Sequence, residues 1–248
     1  MGKSKTYFAS DFHLGLSAGT DPREREKRVT AWLKQISADA SAVYLLGDIF
    51  DFWWEYRKVV PKGFTRFLGT LSEMTDSGIK VFIFTGNHDM WMKDYLKKEC
   101  GVEIITRPLL TALDGKRFYL AHGEGLGTNN IGFKLLLAFF RWRFAQRVFS
   151  AINPRFGIGF GHAWSHSSRL AKGISIPFMG EEKEDLVKYT KQIIDEGCDA
   201  DFFIYGHRHL PITLDIKGKK MIILGDWFKS NSYASWDGDK LEFKSIPV

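Results

Sequence analysis

Asp11, His13, Asp48, Asn87, His122, His207 and His209 are side chains of the kind that hold divalent cations, and each lies just beyond a run of apolar, β-branched or aromatic residues. They sit in motifs that follow one another along the chain: Asp11-Phe12-His13, Gly47-Asp48-Ile49-Phe50-Asp51, Gly86-Asn87-His88-Asp89, His122-Gly123 and Gly206-His207-Arg208-His209. Five of the chain's seven histidines fall within them. Two carboxylates, one amide and four imidazoles are too many donors for a single ion that must keep open positions, so two ions are expected. Mixed oxygen and nitrogen donors suit Mn²⁺, with Zn²⁺ or Fe as alternatives, better than Ca²⁺. Two divalent ions against two carboxylates leave a surplus of about two positive charges, which favours a phosphate and makes a water more acidic. The chemistry implied is hydrolysis of a phosphoester.

Spacing suggests roles within the set. Asp11 and His13, one residue apart, face the same way on an extended backbone and can grip one ion, and His207 and His209 repeat the arrangement. Asp48, at a strand end, can bridge two ions with its two oxygens. His88 follows a ligand directly, in place to protonate a leaving oxygen, and Asp51 is a candidate to orient it. Gly225-Asp226 reads only as a strand-to-turn transition.

Strands are expected at Lys5–Ser10, Ala42–Leu46, Lys80–Phe84, Lys116–Leu120 and Phe202–Tyr205, with helices at Arg23–Ser37, Phe64–Ser77 and Glu181–Glu196. Continuous apolar strands alternating with helices indicate buried sheets covered on their faces. Two hairpins, Pro211–Ile216 with Lys219–Leu224 and Tyr233–Trp236 with Lys240–Ile246, suggest a second, more antiparallel sheet. The fold class is α/β (α+β), a four-layer α-β-β-α sandwich whose strand-end loops carry the site. Ligands run from Asp11 to His209, so residues 1–248 read as a single domain.

Residues 129–180 interrupt this pattern and read as a helical insertion. Ile131–Ile152 carries Phe133, Leu136, Phe140 and further bulky apolar residues all round the helix, with Arg141 and Arg147 among its cations and no acid. Such a helix contacts apolar material on more than one face, either the protein's own core or apolar parts of a ligand, and Arg141 and Arg147 are expected substrate contacts, placed to meet phosphate or anionic headgroups. A second helix is expected over Phe160–Leu170, where His162 and His166 are polar residues or substrate contacts.

Hydrophobic residues at 44% and charged residues at 26% describe a chain able to form a core. The net charge of +6 attracts anions without choosing among nucleic acid, anionic lipid and a phosphorylated substrate. Cys100 and Cys198 stand alone, forming neither a zinc motif nor a disulfide framework. No signal-like apolar region is read before the first strand, so a cytoplasmic location is expected.

Across nearly its whole length the chain resembles the calcineurin-like metallophosphoesterases. Within them it is similar to the UDP-2,3-diacylglucosamine hydrolases of lipid A biosynthesis, in Ser10–Gly15, Leu46–Trp53, the insertion after His122-Gly123, and Leu224–Trp227. The resemblance implies attack of water on the α-phosphorus of a lipid-linked nucleotide, giving UMP and 2,3-diacylglucosamine 1-phosphate. It implies one ion on Asp11, His13, Asp48 and His209, and another on Asp48, Asn87, His122 and His207. The insertion becomes a lid holding acyl chains, with Asn130 near the sugar, and the protein a peripheral partner of the inner membrane's cytoplasmic face, with no specific nucleic acid. The alternatives are a soluble phosphodiesterase or nuclease and, since no ligand is missing, less readily a non-catalytic scaffold.

Overall fold

The computed structural model describes residues 4–17, 21–161, 163 and 177–247. Strand β1 (Lys5–Ala9) leads to α1 (Pro22–Ile36), β2 (Ala40–Leu46), α2 (Thr65–Asp76), β3 (Lys80–Phe84), α3 (Tyr95–Cys100) and β4 (Glu103–Ile105). There follow β5 (Leu109–Leu113), β6 (Lys116–Ala121), α4 (Ile131–Arg141), α5 (Arg143–Ser150), α6 (Asp185–Asp195) and β7 (Phe202–Tyr205). The chain closes with β8 (Pro211–Ile216), β9 (Lys219–Leu224), β10 (Ser232–Trp236) and β11 (Leu241–Ser245). One sheet has the order β11-β10-β1-β2-β3-β4, the other β5-β6-β7-β9-β8.

The apolar strands serve two cores at once. In β1, Tyr7 and Ala9 pack outward among Val29, Trp32 and Leu33 of α1, while Phe8 points inward toward Tyr44, Phe118 and Ile204 between the sheets. In β7, Phe203 and Tyr205 pack against Leu186, Val187 and Ile193 of α6, and Ile204 joins the inter-sheet core. Period-two alternation with both faces apolar therefore produces the α-β-β-α layering.

The sheet pairing differs from expectation in one respect. The β8–β9 hairpin belongs to the second sheet, but β10 returns to pair antiparallel with β1, carrying β11 with it. Trp236 supplies a reason, burying its ring between the sheets against Phe118 and Phe202. Three short elements, α3, β4 and β5, carried no clear sequence pattern. Helix α6 begins at Asp185 rather than Glu181: Glu184 has an extended backbone (φ −84°, ψ 112°), and its side chain pairs with Arg208.

The insertion is not one helix. Trp142 adopts an extended backbone (φ −70°, ψ 118°) that separates α4 from α5, and a further helical stretch covers 154–161. The expected helix Phe160–Leu170, with His162 and His166, lies largely outside the described residues.

Candidate metal centre

β1, β2 and β3 run parallel, as do β6 and β7, so the residues just past their ends gather at a common edge. Asp11, His13 and His209 present donor atoms within 4.8 Å of one another, and so do Asp48, His122 and His207. His209 Nε2 lies 3.2 Å from both Asp11 Oδ1 and His13 Nε2. Between the two triads stands Asp48 Oδ2, 3.6 Å from His13 Nε2 and 3.3 Å from His122 Nε2. The other oxygen, Oδ1, accepts the main-chain N–H of His88 at 2.9 Å. One oxygen of Asp48, not two, faces both triads.

The backbone that aims these groups is unusual. Asp11 (φ 56°), His13 (φ 42°), Asp48 (φ 52°), His207 (φ 68°) and His209 (φ 50°) all occupy the left-handed region. Asp11 and His13 therefore do not converge through the pleat of an extended strand; left-handed turns bring them together. Each such residue costs on the order of 1 kcal/mol or more, and persists because its surroundings hold it. The β1 and β2 loops are laced by Asp11 N–H to Gly47 O at 3.1 Å and His13 N–H to Asp48 O at 2.9 Å. A Cβ at Gly86 would overlap the Asp48 carboxylate, so only glycine lets the β3 loop approach it.

Further residues orient the ligands. Asp11 Oδ2 accepts from Ser10 Oγ and from the His207 N–H, at 2.9 Å, leaving Oδ1 bare. His122 Nδ1 donates to Leu46 O at 2.7 Å, which directs Nε2 inward without a hydrogen-bond partner. Asn87 Oδ1 is likewise buried and unpartnered. Bare buried acceptors are costly, and a cluster of oxygen and imidazole donors of this composition fits divalent transition metal ions.

His88 Nδ1 lies 3.0 Å from the main-chain carbonyl of Asp51, an oxygen that can only accept, so Nδ1 carries a proton in this contact. Asp51 therefore meets His88 through its backbone as well as standing near it with its carboxylate, which is also 3.8 Å from His13 Nδ1. Asp89, to which the sequence assigned no role, is fully buried and accepts from Gly86 N–H and Ile49 N–H, each at 2.7 Å, fastening the β2 and β3 loops together. Burial and the Asp48 charge push its acid up to about 7 against those donors. Arg208, between His207 and His209, forms a two-pronged pair with the buried Glu184, its Nη2 at 2.8 Å from Oε2. These positioning groups lie within or beside the motifs, but their partners are distant in sequence.

Charges in the cluster are strongly coupled. Burial acts to pull the His122 and His209 imidazoles down, yet Asp48 beside the first and Asp11 beside the second hold both above the usual value. His207, buried and next to His122, is driven down to about 3.

Residues 4–211 match the calcineurin-like phosphoesterase family. The chain belongs to that family. It is 39% identical to the UDP-2,3-diacylglucosamine hydrolase of Porphyromonas gingivalis, with 98% of each chain covered. With the enzyme of the same name from Aeromonas salmonicida it shares 26% identity, over 98% of this chain and 94% of that one.

In this calcineurin-like phosphoesterase a cavity of about 1140 Å³ runs from Asp48, His88, His207 and His209 to the insertion. Phe133, Leu136 and Phe140 line it, as does Asn130, whose Oδ1 also caps α4 by accepting from Phe133 N–H at 2.9 Å. Phe52, Trp54 and Trp91 form its facing wall. Arg141 and Arg147 do not line it. Arg141 is paired with the nearly buried Glu124, and Arg147 shares with Arg143 the exposed face of α5 turned from the cavity. Leu137 is the one fully buried residue of α4, and α5 has none, so these helices are not core.

Proposed function

We propose that this chain hydrolyses the diphosphate of UDP-2,3-diacylglucosamine, releasing UMP and 2,3-diacylglucosamine 1-phosphate for lipid A biosynthesis. The observation that carries this reading is the single cavity joining the two donor triads to the apolar insertion, a shape matched to a ligand with a phosphate end and an acyl end. Relatives bearing that name, similar along the full length, support it.

Asp11, His13, Asp48 and His209 would hold one divalent ion, and Asp48, Asn87, His122 and His207 the other, with Mn²⁺ preferred. When bound, the pair supplies positive charge for the phosphate and a more acidic water. His88, with one proton held on Nδ1 by the Asp51 carbonyl, would as the doubly protonated ring give its second proton from Nε2 to the leaving oxygen. Phe133, Leu136 and Phe140, with Phe52 and Trp91 opposite, exclude water from the acyl chains, and Asn130 sits where the sugar enters.

The insertion also serves as the contact with a membrane surface. Ile131 (72% exposed) and Leu135 (65% exposed) lie outside the cavity, Lys134 is exposed beside Leu135 on α4, and Arg143 and Arg147 are exposed on α5. Apolar and basic groups together suit the cytoplasmic face of an anionic bilayer. No helix among the described residues is long and apolar enough to cross one. The test is to incubate Mn²⁺-loaded protein with UDP-2,3-diacylglucosamine and identify both products by mass spectrometry. Absence of UMP, with an aryl phosphodiester still cleaved, would move the substrate elsewhere.

A further inference from the structure

The two triads are not supported alike. The turn after β9 touches every member of the first triad. Trp227 N–H donates to Asp11 O at 3.2 Å. Asp226 accepts the N–H groups of Phe228 (3.1 Å) and Lys229 (2.9 Å) on Oδ1, which shapes the turn, and its Oδ2 lies 3.8 Å from His209 Nδ1. Phe228 then lies nearly parallel to two imidazoles, 5.5 Å from His13 at 26° and 5.8 Å from His209 at 16°.

Arg25 of α1 closes the arrangement from the opposite end of the sequence. It is completely buried, and its guanidinium sits 4.1 Å from the Phe228 ring centre. Its Nη1 donates at 3.0 Å to the carbonyl of His13 itself and to that of Leu16. A buried cation is costly unless its surroundings use it. Here it fixes the backbone of one ligand and, through the ring face, the aromatic plate against which two ligands rest. The second triad has a different support, the Leu46 carbonyl on His122 and the Asp11 carboxylate on the His207 amide.

We propose that the Asp226–Phe228 turn, braced by Arg25, is a positioning device for one ion only, the ion of Asp11, His13 and His209. This rests on the two-metal reading of the centre. Phe228 and Arg25 are positioning residues; neither is assigned a contact with substrate.

The experiment titrates metal-free wild type and Phe228→Leu with Co²⁺, following visible absorbance and bound metal at equilibrium. His209→Ala and His207→Ala identify which binding step belongs to which triad. Phe228→Leu is expected to weaken the step lost in His209→Ala by about 10–100-fold, the usual cost of removing a group that orients a metal ligand. The other step stays within about 2-fold of wild type, and Phe228→Tyr, which keeps the plate, leaves both steps near wild type, on the same scale of effects. Should Phe228→Leu fail to fold, Arg25→Lys is read the same way: it keeps the charge but not the fork, and is expected to weaken the same single step. Equal weakening of both steps, or of neither, overturns the proposal. A wild type that binds fewer than two ions instead removes the two-metal reading beneath it.

Discussion

The main-chain N–H of His88 donates to Oδ1 of Asp48 at 2.9 Å, so the candidate acid and the central carboxylate are held by one hydrogen bond. Asp48 is left with Oδ2 as the atom facing both triads. Replacing it removes a donor from each ion and also loosens the loop that carries Asn87 and His88. Asp48→Ala is expected to reduce bound Mn²⁺ from two ions per chain toward none, measured by elemental analysis after gel filtration. Retention of one tightly held ion would contradict a shared carboxylate.

His88 is expected to act after metal is bound. His88→Ala should keep both ions while turnover falls by about 10²–10⁴-fold, the range for a lost general acid. The loss should shrink for an aryl phosphodiester, whose leaving group needs little protonation. Equal losses on good and poor leaving groups would assign His88 to holding the phosphate instead.

Metal and protons compete for the same nitrogens. In the metal-free protein burial disfavours charge on His122 and His209, but Asp48 and Asp11 outweigh it and raise both. An imidazole raised on folding stabilises the metal-free fold fully below its ordinary value of about 6.5, and that contribution fades as pH rises through the raised value. Ion binding must displace those protons, so apparent affinity should increase with pH. Calorimetric titrations in buffers of different ionisation heat should reveal proton release; an affinity indifferent to pH would contradict the coupling.

The insertion is predicted to act on acyl chains and not on phosphate. Leu136 and Phe140 line the cavity without being fully buried, so changing both to Ser should leave the protein folded. KM for the diacylated substrate should rise far more than KM for a short aryl phosphodiester. A parallel rise for both, or a fall in thermal stability large enough to account for it, would make the helix a structural support.

The clustering of the candidate ligands was legible in the sequence because each follows an apolar strand, and parallel strands deliver their ends to one edge. What it concealed was how the ligands are aimed. Nothing in Asp11-Phe12-His13 announces two left-handed residues, since that conformation is imposed by hydrogen bonds to the β2 loop. Asp226 read as an ordinary turn because His209, which gives it meaning, meets it only in the folded chain. Trp142 breaks the insertion helix without Gly or Pro, so periodicity alone ran through it. Arg141 read as a substrate contact because its partner, Glu124, lies in a different loop.

The rate at which Mn²⁺-loaded protein releases UMP from UDP-2,3-diacylglucosamine, set beside the rate from UDP-glucosamine, tests the substrate most directly. Each buried CH₂ is worth about 0.8 kcal/mol, so even a few seated in the cavity should favour the acylated substrate by about 10²-fold or more in kcat/KM. Equal kcat/KM values, or faster cleavage of the compound without acyl chains, would contradict the account.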